Sequence, residues 1–267
     1  MWTKATDAGY VSWSVDDSVR ALVTTREVGG AAGVPLSMNL SFVAGQESAD
    51  QVIQSRRQVA AWFSQPLEAM VYAEQVHGGE IAIVSQADGG RGAAAAANAV
   101  PAADGLLTRD RGLVLSLLFA DCVPVFLAAP DQDWIGVVHA GWRGTARGIA
   151  MRAVALLAAQ GIAPAALWAG IGPSIGGCCY EVDETVVHAV GATVGKPGAG
   201  EAVPSAAPGR FQLDLGEVNR RLLREAGLAD ERIESAGLCT ACHSQWFFSY
   251  RRDGVRSGRL GGFICRK

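Results

Sequence analysis

Short apolar runs alternate with stretches of helical period along the whole chain, and that alternation limits the folds open to it. Ala21–Thr25, Ala69–Val76, Ile81–Val84, Leu113–Phe119, Val123–Ala128, Trp134–His139 and Leu167–Ile171 read as strands. Glu47–Phe63 reads as a helix, with Val52, Val59 and Phe63 on one face and Arg56 at its edge. Thr145–Gln160 is a second helix, with Ile149, Ala153, Leu156 and Leu157 as its stripe and Gly161 as its stop. Leu215–Ala226 is a third, opened by Asp214 with Glu217 three residues on and closed by Gly227. Asp183–Val194 has helical character too. Hairpins and helices in this mixture predict a single α/β or α+β domain over residues 1–267 with a mixed sheet, not a strict βαβ repeat.

Two segments interrupt the pattern. Asp88–Ala103 and Gly195–Gly209 are rich in small residues, bury little surface, and read as mobile loops rather than domain linkers. The remaining composition suits a sizeable core: 49% hydrophobic and 18% charged over 267 residues. A net charge of −3 supplies no electrostatic footprint for nucleic acid or an anionic membrane. Met1–Asp17 lacks the basic and apolar regions of a secretory signal, and Leu113–Ala120 is far short of the ~20 residues of a membrane span, so the expected location is the cytoplasm. Six cysteines in such a chain are then expected as free thiols, metal ligands or nucleophiles.

Four histidines are present, and two stand where a strand hands a side chain to a glycine turn: Val76-His77-Gly78 and Val138-His139-Ala140-Gly141. His188 falls in a helical segment and reads as a surface or packing residue. Asp121-Cys122 forms a polar pair wedged between two apolar runs. In the hairpin formed by the runs on either side of Pro130-Asp131-Gln132-Asp133, a turn at Ala129–Gln132 sets Cys122 directly opposite His139. Residues so opposed share a face with Cβ atoms roughly 4.5–5.5 Å apart. His77, Cys122 and His139 can then be three zinc ligands with an open fourth position, a copper site with a weak axial ligand, or, for Cys122 and His139, a nucleophile and its base. A closed structural site would need a fourth ligand that the neighbouring segments do not plainly offer.

Arg143, in the Gly141-Trp142-Arg143-Gly144 turn, has the fork of an anion clamp, or is an exposed ion-pairing arginine. Asp121 is either a carboxylate that supports a ligand or moves a proton, or a turn or capping residue. Cys239-Thr240-Ala241-Cys242-His243 fits the c-type haem attachment pattern, but haem attachment accompanies export and no export signal is seen. A redox dithiol or a second metal site is an alternative there. The favoured reading packs these cysteines beside a Trp246-Phe247-Phe248 strand.

Several segments, taken in order, resemble one family. They are Val76-His77-Gly78, Ala103-Asp104-Gly105-Leu106-Leu107-Thr108, Ala120-Asp121-Cys122-Val123-Pro124 and His139-Ala140-Gly141-Trp142-Arg143-Gly144. Gly170-Ile171-Gly172-Pro173-Ser174-Ile175, Tyr180-Glu181-Val182, Cys239-Thr240 and Phe247-Phe248-Ser249-Tyr250-Arg251-Arg252 follow. The family is the laccase-domain one, also called the YfiH/LACC-type purine nucleoside phosphorylase family, whose members also carry a polyphenol-oxidase label. The resemblance runs from about Val23 to Ile264. It implies a mixed α/β sandwich and a zinc (Zn2+) site made by His77, Cys122 and His139. It also implies phosphorolysis of adenosine, inosine, guanosine and 5′-methylthioadenosine, with adenosine deamination as a further activity. The partners are then a nucleoside and phosphate, with Cys122, Asp121 and Arg143 as catalytic candidates. Some relatives are instead peptidoglycan editing factors, which makes a precursor amidohydrolase the alternative, with a non-catalytic metal-binding protein behind it. Where the family often has Asn-Arg, this chain has Ser55-Arg56. Copper can occupy an N/S site, but four histidines in all are too few for the several centres of a multicopper oxidase.

Overall fold

The computed structural model describes residues 1–29, 36–194 and 201–267. Two six-stranded sheets lie at its centre. The first runs Trp2–Ala5, Tyr10–Ser14, Val19–Thr24, Leu260–Arg266, Val114–Phe119, Met70–Tyr72. Its pairs are antiparallel except the last, which is parallel. The second runs Ile233–Ser235, Trp168–Ile171, Val123–Ala129, Trp134–Ala140, Gly105–Thr108, Ile81–Ile83. It is antiparallel in the middle and parallel at both edges.

Period-two alternation sorts the side chains into layers. Leu115, Leu117 and Phe119 point from the first sheet into a core shared with Phe126, Ala128, Ile135 and Val137 of the second. The opposite faces carry the helices. Val123, Val125 and Leu127 pack with Ile149, Ala153 and Leu157 and with Leu215, Val218 and Leu222. Val114 and Phe263 pack with Val59 and Ala60 of helix Ala49–Trp62. The result is the mixed α/β sandwich expected, with two mixed sheets. Among the described residues, no helix is long and apolar enough to cross a membrane.

Several expectations need correcting. The run Ala69–Val76 is strand only over Met70–Tyr72, and the rest is loop that leads to His77. The helix expected over Thr145–Gln160 is two helices, Trp142–Ala146 and Ile149–Ala159. They break at Gly148, whose φ of +67° is a left-handed conformation that glycine adopts without a Cβ clash. Trp246–Phe248 is not a strand: Phe247 and Phe248 instead fill a small core with Val11, Leu238 and Leu260. Of the low-complexity segment Gly195–Gly209, residues 195–200 lie outside the described residues, and Ala202–Pro204 is a short strand paired with Arg210–Leu213.

Residues 88–103 also bury more than their composition suggests. Ala93, Val100 and Ala103 are buried. The segment is held by polar bonds rather than apolar bulk: Asn98 Oδ1 accepts from the Gly92 amide at 3.0 Å, and Arg91 donates to Asp88 at 3.2 Å and to the Ala99 carbonyl at 3.2 Å. Its main anchor is Arg56, which lies not at a helix edge but 2% exposed. Arg56 donates to the carbonyls of Leu40, Gly92 and Ala93, with its guanidinium 4.2 Å from the Phe42 ring and 3.9 Å from the Tyr72 ring. Replacing it leaves three buried carbonyls without a donor. Arg56→Met is expected to lower the unfolding free energy by about 2–4 kcal/mol, measured by urea denaturation. A loss below about 0.5 kcal/mol would show that the loop holds itself.

Candidate active site

Cys122 lies where the chain leaves one sheet for the other, between the strand ending at Phe119 and the strand beginning at Val123. The crossover is sharp. Asp121 holds a φ of +84°, which is unfavourable for a residue with a Cβ by roughly 1–2 kcal/mol. Its carboxylate offsets that cost by accepting from the Thr240 hydroxyl and the Arg251 amide, each at 2.6 Å, and its carbonyl accepts from the Ile175 amide at 2.9 Å. Asp121 therefore ties the crossover to three other segments, the turns at Thr240 and Ile175 and the helix Tyr250–Asp253.

The hairpin register differs from the expected one. Pro130–Gln132 forms a 3-10 turn ending at Asp133, with φ +65°, so Ala129 pairs with Trp134 and Pro124 with His139. Cys122 is two residues out of direct opposition to His139. A two-residue shift preserves the face, whereas a one-residue shift would reverse it, so both side chains still meet. His77 reaches the same point from a loop, with φ +56°. The two imidazoles cross edge to face at 4.9 Å between centroids. The donor atoms of His77, Cys122 and His139 all lie within 4.8 Å of one another.

Asp104 organises this set, and the motif reading gave it no role. It is fully buried and accepts from the amides of Val76 at 3.1 Å, His77 at 3.0 Å and Gly78 at 2.6 Å. It also lies 2.8 Å from His139 Nδ1, while its carbonyl accepts from the His139 amide at 2.7 Å. With Nδ1 occupied, His139 presents Nε2 to the site. The available signal was a charged residue abutting Gly105–Thr108, a strand buried at every position.

Electrostatics reinforce the arrangement. Burial opposes ionisation of the Cys122 thiol, but the His139 charge and hydrogen bonds from both histidines outweigh it and bring the thiol down to about 6. Burial likewise disfavours an imidazolium at His139, yet the Cys122 thiolate and the Asp104 carboxylate raise it to about 9. Burial also opposes the Asp104 charge, and the His139 hydrogen bond with the loop amides still holds that carboxyl below its usual range. In the metal-free chain both shifts act in the direction that favours a thiolate–imidazolium pair. One soft sulfur and two imidazoles suit a zinc or copper ion, and three donors leave a coordination position free.

That position faces a cleft of about 850 Å³ with His77, Cys122 and His139 in its wall. Its lining also includes Phe42, Arg56 and Tyr72, Tyr250 and Arg259, and Ala96, Ala97 and Ala99 of the low-complexity loop. Gly141 keeps room for the sulfur, since a Cβ there would come 2.8 Å from Cys122 Sγ. Arg143 is exposed on the short helix beginning at Trp142, its guanidinium 4.2 Å from the Trp142 ring, and it does not line the cleft. Its charge nevertheless acts on Tyr180, whose hydroxyl burial raises to about 12, with Cys122 and Asp121 acting in the same sense and Arg251 and Arg143 against it.

The ion pair can be tested directly. In metal-free protein, iodoacetamide labelling of the Cys122 peptide should rise with pH around a midpoint of about 6, because the thiolate form exists above that value. His139→Gln should move the midpoint up toward or past the ordinary ~8.5. An unmoved midpoint would remove His139 as the cause.

Comparison with known proteins places the chain among relatives in both sequence and fold. The family model described as multi-copper polyphenol oxidoreductase laccase matches residues 20–267. Purine nucleoside phosphorylase YlmD of Geobacillus stearothermophilus is 42% identical over 246 residues, covering 92% of this chain and 89% of the relative. A protein named adenosine deaminase RL5, from an unknown prokaryotic organism, is 31% identical over 251 residues, covering 94% of this chain and 95% of its own. The crystal structure of YlmD from Geobacillus stearothermophilus superimposes with a TM-score of 0.90 at 40% identity, covering 99% of this chain and 98% of that one. With a matched family model over nearly its full length and close relatives in sequence and fold, the chain belongs to the laccase-domain, multi-copper polyphenol oxidoreductase laccase family.

Proposed function

We propose that the chain is a zinc-dependent purine nucleoside phosphorylase acting on adenosine, inosine, guanosine and 5′-methylthioadenosine, with adenosine deaminase activity at the same site. The observation that carries this reading is the convergence of His77, Cys122 and His139 on one wall of a nucleoside-sized cleft. Relatives named purine nucleoside phosphorylase and adenosine deaminase support it. The donor count supports zinc over a multicopper centre, since two of only four histidines are gathered here.

In phosphorolysis a phosphate oxygen bonds to C1′ of the ribose while the bond from C1′ to the base breaks, its electron pair leaving with the base, which takes a proton. In deamination water adds at C6 and ammonia leaves. His77, Cys122 and His139 would hold a zinc ion, which would supply Lewis acidity to the site. The protein's own groups do the rest. Phe42 and Tyr250 give the cleft aromatic walls against which a purine can lie. Arg259 lines the same cleft. Arg143 offers a planar fork to a phosphate entering beside the short helix. Asp121 fixes the Cys122 crossover, and to pass a proton it must first release either Thr240 or the Arg251 amide.

Two measurements test the reading. Adenosine with phosphate should yield adenine and ribose 1-phosphate, adenosine alone should yield inosine, and a chelator should stop both. Metal-loaded protein that forms none of these products would overturn the proposal. Arg143→Lys should then lower phosphorolysis kcat/KM by about tenfold, with phosphate KM raised, while deamination changes little, because an ammonium lacks the guanidinium fork. Equal losses in both reactions would make Arg143 a support for the turn that follows His139.

A further inference from the structure

Cys239 and Cys242 do not pack beside a strand. Two turns bring them together with Cys178 and Cys179. One turn, at residues 177–179, follows strand Trp168–Ile171, and the other, at residues 240–242, follows strand Ile233–Ser235. Those strands pair in parallel, and the pairing continues past their ends as a bridge between Ser174 and Cys239. The Ser174 amide donates to the Leu238 carbonyl at 3.2 Å, and the Thr240 amide to the Ser174 carbonyl at 3.0 Å. Two pairs of thiols, with Cys242 lying 64 residues from Cys178 and 63 from Cys179, thus meet by the topology of one sheet edge.

We infer that Cys178, Cys179, Cys239 and Cys242 form a second, structural zinc site, distinct from the His77–Cys122–His139 set. The four sulfurs all lie within 4.8 Å of one another, with Cys242 Sγ 3.5 Å from Cys178 Sγ and 3.4 Å from Cys179 Sγ. A tetrahedral zinc with sulfurs at about 2.3 Å requires sulfur–sulfur edges of about 3.8 Å. Two of the edges fall a few tenths of an ångström short of that value, the others lie within 4.8 Å, and all four cysteines are free. Apolar packing does not account for the cluster, since Cys178 and Cys242 are exposed. The Gly176 amide also points at Cys239 Sγ, 3.3 Å away, the kind of N–H···S contact that steadies a metal-bound thiolate. Four soft ligands with no open position select zinc and close the site, so its role is to hold structure. Zinc displaces the thiol protons on binding and reacts no further.

What it holds is specific. Thr240, inside the Cys239–Cys242 turn, donates the 2.6 Å hydrogen bond to Asp121. Arg252 also donates to the carbonyls of Thr240 and Ala241, at 3.2 Å each. The ion therefore fixes a loop that supports the crossover bearing Cys122, without touching the cleft itself.

Metal counting on protein purified anaerobically under reducing conditions tests this independently of activity. Wild-type chain reconstituted with zinc should hold about two ions, Cys122→Ala about one, and Cys178→Ser with Cys242→Ser about one. Cobalt placed in Cys122→Ala should give the intense red-region d–d bands and sulfur-to-cobalt charge transfer of a tetrathiolate. Those bands should be missing from the double serine variant. Should that variant not fold, the cobalt spectrum of Cys122→Ala decides alone. A folded Cys122→Ala chain that binds neither ion, or one whose cobalt spectrum lacks thiolate character, overturns the site. So does mass spectrometry that finds these cysteines paired as disulfides in place of bound metal.

Discussion

The buried Asp104 carboxylate is the point from which the candidate site is built. It takes three amides from one turn and the imidazole of His139 from a strand. An anion removed from water is costly unless each oxygen finds donors, and here each does. The two histidines therefore do not find their places independently. The amides that satisfy Asp104 belong to the residues around His77, and the His77 backbone is held in its left-handed conformation by the same bonds. Removing the charge would free the turn and release the tautomer of His139 together.

A buried cation in the cleft lining plays the complementary part. Arg56 collects carbonyls where Asp104 collects amides, and the alanine-rich segment that helps line the cleft hangs from it. Both groups reach segments whose backbone polar atoms lack regular ladder partners. In each case one charged side chain replaces several backbone hydrogen bonds that a strand or helix would have supplied.

Much of this was legible in the sequence, and the gaps have physical reasons. The hairpin strands, the capped helices and the convergence of His77, Cys122 and His139 follow from apolar period and from polar residues at strand ends. The register was missed by two because the loop closes as a 3-10 turn with a left-handed Asp133, which moves the first pair outward. Leu260–Arg266, central in the first sheet, gave no strand signal because Gly261 and Gly262 interrupt it. Those glycines are imposed by packing: a Cβ at Gly261 would come 2.2 Å from the Phe263 ring, and one at Gly262 would come 2.6 Å from Phe119. Asp104, Arg56 and the Cys178–Cys179 partners of Cys239 and Cys242 depend on contacts between segments far apart in the chain. No local pattern encodes such contacts.

The three donors belong to different layers of the sandwich. His77 follows an edge strand of the first sheet, His139 lies within the second, and Cys122 sits on the crossover between them. Their spacing is therefore a calliper set across the interior. Any ligand held by all three would gauge how far the sheets stand apart, and the aromatic filling between them, Trp13 against Phe126 at 6.4 Å, is a spacer for the cleft. Thinning or thickening that filling would change the spacing of the three side chains without altering any of them.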